Sequence, residues 1–234
     1  MSQETVAERS TKRRIYERLA EVVCRRAFSS PEALAYELTI APSLAKIVAP
    51  EFLARIDGTL ILDVGCGGGI IAALLSENLR AMVVGVDPSK SQMRRVKRQT
   101  NRGHRIHGVQ GYAASLPFVN NSFDGVVSSC AFKHWPDPSE GIAECLRVVR
   151  PGGRIVIVEI DGASSPGEFW SFAKKSRVPI GMRNAYVRFA MRTVVGVAPT
   201  HDELTEAVAR WSEDFTVAHI DGSPFHVLTI KSSE

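Results

Sequence analysis

The stretch that most constrains this chain runs from Thr59 to Asp87. Residues 59–64 form a short apolar run of the kind expected for a strand buried on both faces. The run breaks into Gly65-Cys66-Gly67-Gly68-Gly69, then reopens as a helix-forming segment over 70–79. Glycines at such a turn let the backbone approach a ligand closely, because no Cβ intervenes. A second apolar run, 82–86, ends in Asp87, eighteen residues after Gly69. A carboxylate at the tip of a second strand suits the two hydroxyls of a ribose. Strand, glycine turn, helix and acid-tipped strand together open a fold that holds a nucleotide-type cofactor. These residues alone leave the cofactor open.

The bulk properties fit that opening. The 234 residues suffice for one domain with a small cap and a full core. A net charge of +4 permits an anionic partner but requires none. Met1 to Arg14 is polar and charged, unlike a secretory leader, and no run approaches the roughly 18 apolar residues of a membrane-spanning helix. A cytoplasmic location is expected. Cys24, Cys66, Cys130 and Cys145 are scattered, without paired spacing or a nearby zinc-type histidine pattern, and read as reduced thiols. No metal is expected.

Along the chain, residues 1–57 read as an N-terminal helical cap segment, with helices over 11–26, about 30–38, and 43–54 interrupted at Pro50. Residues 58–234 then read as the core. Strands are expected at 60–64, 82–86, 105–109, 123–129 and 154–160, and helices at 70–79, 89–101 and 138–149. Such alternation argues for a parallel sheet covered on both faces. Right-handed crossovers then bring the C-terminal strand ends, with Gly65, Asp87, Gly111 and Ser128 to Cys130, to one rim. Residues from about 163 to 210 read as an inserted helical lid with breaks at Pro179-Ile180-Gly181 and Pro199. The tail reads as two strands, 215–220 and 225–230, joined by a tight turn, so the sheet ends antiparallel.

Two nucleotide patterns can be tried on the first turn. A dinucleotide fingerprint begun at Gly65 fails at Ile70; begun at Gly67 it fits through Gly69 and Ala72. The phosphate-loop pattern fails, since no Lys-Ser or Lys-Thr follows the glycines. Five further blocks decide more. They are Leu62-Asp63-Val64-Gly65-Cys66-Gly67-Gly68-Gly69; Val84-Gly85-Val86-Asp87-Pro88-Ser89; Leu116-Pro117-Phe118 with Asn121-Ser122-Phe123-Asp124; Ser128 through His134-Trp135 to Pro138; and Glu144 through Arg147 to Pro151-Gly152-Gly153. In this order they resemble class I S-adenosylmethionine-dependent methyltransferases over about residues 58–161. Within that family the chain is most similar to the small-molecule branch that includes quinone-biosynthesis methyltransferases.

The resemblance implies a Rossmann-like, mostly parallel seven-stranded sheet with an antiparallel last strand, helices on both faces, and S-adenosyl-L-methionine as cofactor. It implies that Asp63, Gly65, Cys66 and Gly67 meet the methionine part, Asp87 and Pro88 the ribose, Tyr112 and Ala113 the adenine, and Ser128 and Ser129 the cationic end. One departure stands out. The family commonly carries Gly-Asp-Ala after the third strand, where this chain has Gly111-Tyr112-Ala113. Tyr112 brings no carboxylate; it can stack on the base, donate its hydroxyl, or point away.

Methyl transfer is an in-line displacement with dispersed charge, so much of its catalysis is alignment, and a base helps only where the nucleophile carries a proton. His134, just past the fourth strand, is the candidate catalytic base; the alternative is a histidine that braces the loop. Glu159 and Asp161 reach the same rim, where each can orient a substrate or cap a turn. His104, His107, His201, His219 and His226 are read as structural or as weak candidates. The lid mixes Phe169, Trp170, Phe172, Phe189 and Met191 with Lys174, Lys175, Arg177, Arg183, Arg188 and Arg192. It fits a lipophilic acceptor with an anionic part, peripheral membrane contact, or simply a solvated amphipathic cap; Tyr16 and Tyr36 can reach the same pocket. The expected activity is O- or C-methylation of a small organic molecule, with no nucleic-acid partner. A nucleic-acid methyltransferase, a nicotinamide dehydrogenase and a non-catalytic cofactor-binding protein are the alternatives.

Overall fold

The computed structural model describes residues 39–233. The expected helices over 11–26 and 30–38, with Tyr16, Cys24 and Tyr36, lie outside the described residues.

Seven strands form one sheet in the order β3-β2-β1-β4-β5-β7-β6. They are β1 (Leu60–Val64), β2 (Met82–Asp87), β3 (Ile106–Gln110), β4 (Phe123–Ser129), β5 (Val149–Ile160), β6 (Phe215–His219) and β7 (Phe225–Lys231). The first five are mutually parallel, and β7 inserts antiparallel between β5 and β6. The order reverses between β1 and β4, which is where ligands of open α/β sheets bind. Central strands buried on both faces carry near-continuous apolar runs, as in Ile155 to Val158.

One face of the sheet is covered by α1 (Ala41–Leu53), α2 (Ile70–Asn78), α3 (Lys90–Asn101), α5 (Pro166–Lys175) and α6 (Arg183–Thr193). The other is covered by α4 (Pro138–Val148) and α7 (His201–Ala209). The residues choose these helices by their caps. Ser89 accepts from the Gln92 amide at the start of α3, and Asp137 from Glu140 ahead of α4. Full capping boxes, Ser165 with Glu168 and Thr200 with Glu203, open α5 and α7. The breaks expected at Pro179 to Gly181 and at Pro199 fall between these helices. At Pro50 the expectation differs from the structure, since α1 runs through it. Pro50 and Lys46 are both exposed, so the carbonyl that loses a helical donor faces water, and the carbonyl of Pro50 still accepts from Ala54 at 3.0 Å.

One polar network holds the segment between β3 and β4, which packs on the α4 face of the sheet and, apart from a Tyr112–Ser115 bridge, has no helix or strand of its own. Arg147 on α4 donates to the carbonyls of Phe118 (2.7 Å) and Leu116 (3.0 Å), while Glu144 accepts from the Leu116 amide (2.7 Å) and from Arg147 Nε (2.6 Å). The Arg147 hydrogen bond holds the Glu144 carboxyl below its usual range. Replacing Arg147 with Met should strand three acceptors and lower stability by about 1–3 kcal/mol in urea unfolding. An unchanged midpoint would remove the network as the anchor of this segment.

Candidate active site

The site grows from the turn after β1. Gly65, Gly67 and Gly69 all have positive φ, at 76°, 51° and 79°. At Gly65 a side chain would also run into Ala131 Cβ, so glycine is required twice over. The Gly65 and Cys66 amides donate to the Val86 carbonyl, at 2.8 and 3.1 Å. The Gly67 amide donates to Asp87 Oδ2 at 3.1 Å, and the Ser89 amide to Asp87 Oδ1 at 2.8 Å. These turn amides are therefore satisfied within the protein instead of being left to cradle a pyrophosphate. The cap of α3 is Ser89, so Asp87 is not its N-cap.

Asp87 and Asp63 are the electrostatic core of the site. Asp63 is 1% exposed, and its Oδ2 has no hydrogen-bond partner. Burial, and then the Asp87 carboxylate, push its pKa up to about 7. Burial also raises Asp87, against the Ser89 and Gly67 amides. Neither carboxylate forms an ion pair among the described residues. Two more buried polar atoms at this rim are unpartnered, Ser129 Oγ and Trp135 Nε1, the latter 3.9 Å from where a Cβ on Gly65 would stand. Natural interiors leave few such atoms without a ligand or water.

The other expected residues divide. Cys66 turns its sulfur inward, into the space a side chain on Gly85 would need, and donates from it to the Gly67 carbonyl at 3.6 Å, so its side chain braces the turn and leaves only backbone for a ligand. Burial raises its thiol well above the usual range. Ser128 spends its hydroxyl on the Val64 carbonyl at 2.8 Å. Pro88 is exposed beside Asp87, and Ala113 is buried. Tyr112 is 59% exposed on a tight turn closed by Ser115 N–H to its carbonyl, so its ring points away from the core.

His134 ends a 3-10 turn, Phe132–His134, clamped to the sheet by a buried ion pair. Lys133 Nζ lies 2.8 Å from Glu159 Oε1 and donates to the Cys130 carbonyl at 2.6 Å; the Lys133 amide donates to Glu159 Oε2 at 3.1 Å. By surface area the His134 ring is exposed among the described residues. Desolvation, and then the Lys133 cation, nevertheless pull its pKa down to about 3. Tyr186 of α6 lies near Cys130 at this rim, its hydroxyl raised by burial and then by Cys130.

Sequence reading missed Gln92, Lys133, Trp135 and Tyr186 as parts of this site. Gln92 had a legible signal. It shares the buried face of α3 with Val96, four residues on, and a polar residue in an apolar stripe asks for a reason. Its Nε2 lies 3.9 Å from where a Gly67 Cβ would stand. The Lys133–Glu159 pair spans 26 residues and had no local signal.

Fold and rim define a Rossmann-like protein with two carboxylates at the switch point of its sheet. Residues 62–157 match the family described as "Methyltransferase domain". The demethylmenaquinone methyltransferase of Clavibacter sepedonicus is 29% identical over 181 residues, covering 75% of this chain and 68% of that protein. An uncharacterized chloroplastic methyltransferase of Arabidopsis thaliana is 32% identical over 142 residues, 57% of this chain and 39% of that protein. A SAM-dependent methyltransferase from Aquifex aeolicus superposes with a TM-score of 0.57 at 15% identity, covering 84% of this chain and 90% of that one, a likeness of fold. Residues 62–157 thus carry a methyltransferase domain, and the chain is similar to the demethylmenaquinone methyltransferases; S-adenosylmethionine is the cofactor this similarity implies.

The Asp63 shift carries a stability prediction. Its folded pKa lies above its unfolded value of 3.8, so the folded state binds the extra proton between about pH 4 and pH 7. Stability is then lost as pH rises through that window, by about 4 kcal/mol for the full shift. In cofactor-free protein, the stability of wild type relative to Asp63→Asn should fall by an amount of this order between pH 4 and pH 7.5. Parallel curves would contradict it.

Proposed function

We propose that this chain methylates a small organic acceptor, on oxygen or carbon, in the space between the β1–β4 rim and the helical insertion. The observation that carries this reading is the buried Asp63 carboxyl beside the half-buried Asp87, with no cation paired to either among the described residues. S-adenosylmethionine has two positive centres, a sulfonium and an ammonium, and when bound it supplies an electrophilic methyl group. The orphaned Asp63, Ser129 and Trp135 atoms fit a ligand with this mixture of charge and polar groups. A dinucleotide fits less well, because the turn amides are already used.

In this proposal the backbone at Gly65, Cys66 and Gly67 and the Asp63 carboxylate hold the methionine portion. Gln92 borders the same turn. Asp87 keeps lone pairs for the ribose hydroxyls after accepting its two amide hydrogen bonds, with Pro88 beside it. Ala113 lines the adenine end, Tyr112 offers an exposed ring there instead of a carboxylate, and carbonyls of Ser128 and Ser129 face the cationic end. Cys66 and Ser128 contribute backbone, their side chains being engaged elsewhere.

His134 is the proposed catalytic group, in a restricted form. With a pKa near 3 it is neutral at physiological pH and holds a proton poorly. It therefore accepts a hydrogen bond from the acceptor and aligns it, while the Lys133–Glu159 clamp fixes the turn that carries it. This suits an acceptor that is already acidic, such as a phenol or an enol, whose proton can leave to solvent. Similarity to demethylmenaquinone methyltransferases supports a lipophilic acceptor, as does the aromatic content of the insertion.

Calorimetric titration should show binding of adenosylmethionine and of its demethylated product, and none of NADH. Binding of NADH alone would overturn the reading. Asp87→Ala should weaken cofactor binding by roughly tenfold or more, as for lost charge-assisted hydrogen bonds; unchanged affinity removes Asp87 from the ribose. Radiolabelled methyl should enter a metabolite extract and not total RNA. For the catalytic turn, His134→Gln should lower kcat while leaving the pH dependence of kcat/KM between pH 5 and 8 unaltered. Loss of an inflection in that range would instead make His134 an ordinary general base.

A further inference from the structure

Three of the six histidines of the chain converge at one place outside the site described above. His219 and His226 are direct partners across β6 and β7, so their side chains share one face of the sheet. The His226 ring packs edge-on against His219 at 5.6 Å between centroids and against His201 at 5.7 Å. Two carboxylates join them. Asp161 Oδ2 lies 2.8 Å from His226 Nε2, and Glu168 Oε1 lies 3.1 Å from His219 Nε2. One ligand atom each from Asp161, His219 and His226 fall within 4.8 Å of one another. His226 is 3% exposed, and its second ring nitrogen, Nδ1, is buried with no partner.

We propose that Asp161, His219 and His226, backed by Glu168 and His201, form a binding site for a divalent transition-metal ion of the zinc type. Imidazole nitrogens with a carboxylate oxygen suit Zn²⁺ and its Co²⁺ substitute. Contacts between histidine and carboxylate also orient the rings, as in the outer shells of metal sites. Adjacent ligands of tetrahedral zinc stand about 3.3 Å apart, given metal–nitrogen bonds of about 2.0 Å. The Asp161–His226 pair, at 2.8 Å, is already near that spacing, and His219, which is exposed, has room to adjust.

The location gives the ion a role. Asp161 begins the passage from β5 into the helical insertion, Glu168 stands in the first turn of α5, and His201 is the first residue of α7 where the insertion returns. The two stems already touch, with the Gly162 amide donating to the Pro199 carbonyl at 3.0 Å. An ion here staples both roots of the insertion to the β7–β6 end of the sheet. This inference is independent of the methyl-transfer reading.

The test uses the untagged, chelator-stripped chain titrated with Zn²⁺ by calorimetry and with Co²⁺ by visible absorption. The expected result is one ion per chain, with d–d bands of a four- or five-coordinate nitrogen–oxygen site. His219→Ala and Asp161→Asn should each weaken binding by tenfold or more with the far-ultraviolet circular dichroism intact. His104→Ala, at the opposite rim beside Glu77, should leave it unchanged. Zn²⁺ should also slow proteolysis within residues 162–200 of the wild type and not of His219→Ala. Absence of binding, thiolate-type cobalt bands, or undiminished affinity in the His219 and Asp161 variants would overturn the proposal.

Discussion

Asp87 ties the site together through two amides. One belongs to the glycine turn after β1 and the other to the entry of α3. A single carboxylate thereby fixes the distance between two loops at the point where the strand order reverses. The cost is negative charge at the rim, and Asp63 lies close enough to feel it. A protein that only needed a stable core would not keep Asp63 buried beside a second carboxylate without a cation. Their retention makes sense when a positively charged ligand completes the site.

Much of the fold was legible because local signals agreed with one another. The central strands announce themselves as apolar runs and the core helices as the segments between them; the caps at Ser89, Ser165 and Thr200 emerged only in the structure. The antiparallel end was readable from the spacing of two short strands around Asp221 to Pro224. Pro50 misled because a proline on an exposed face costs a helix one hydrogen bond, which water replaces. For the site, the backbone turn and Asp87 were readable because glycine and a strand-tip acid have few other uses in this arrangement. The sequence could not say that the Ser128 hydroxyl is spent on Val64, or that Cys66 fills the gap at Gly85. Such choices depend on strands distant in the chain. Tyr112 offered three orientations, and only packing distinguishes the exposed one.

The acceptor side depends on longer-range contacts. Lys133 and Glu159 meet from different strand ends, and their pairing fixes the turn that carries His134, whose weak basicity comes from desolvation and then from the Lys133 cation. A buried ion pair is a poor source of net stability but a good source of fixed geometry when its hydrogen bonds are complete. Here those bonds hold a three-residue turn whose role in the proposed reaction is alignment. The helical insertion contributes Tyr186 near Cys130, and its two stems meet beside the histidine cluster. One rim thus joins the acidic glycine turn to a region whose shape is set by the insertion. No helix among the described residues is long and apolar enough to cross a membrane.

The central claim is that Asp63 is protonated near neutrality without cofactor and ionises against the cofactor's positive charge. Carbon-13 NMR of labelled aspartate, with the Asp63 resonance assigned through Asp63→Asn, reads this directly. The titration should centre near pH 7 in the free protein and move down by more than one pH unit with adenosylmethionine bound. A midpoint that starts in the ordinary carboxylate range, or one that does not move on binding, would contradict it.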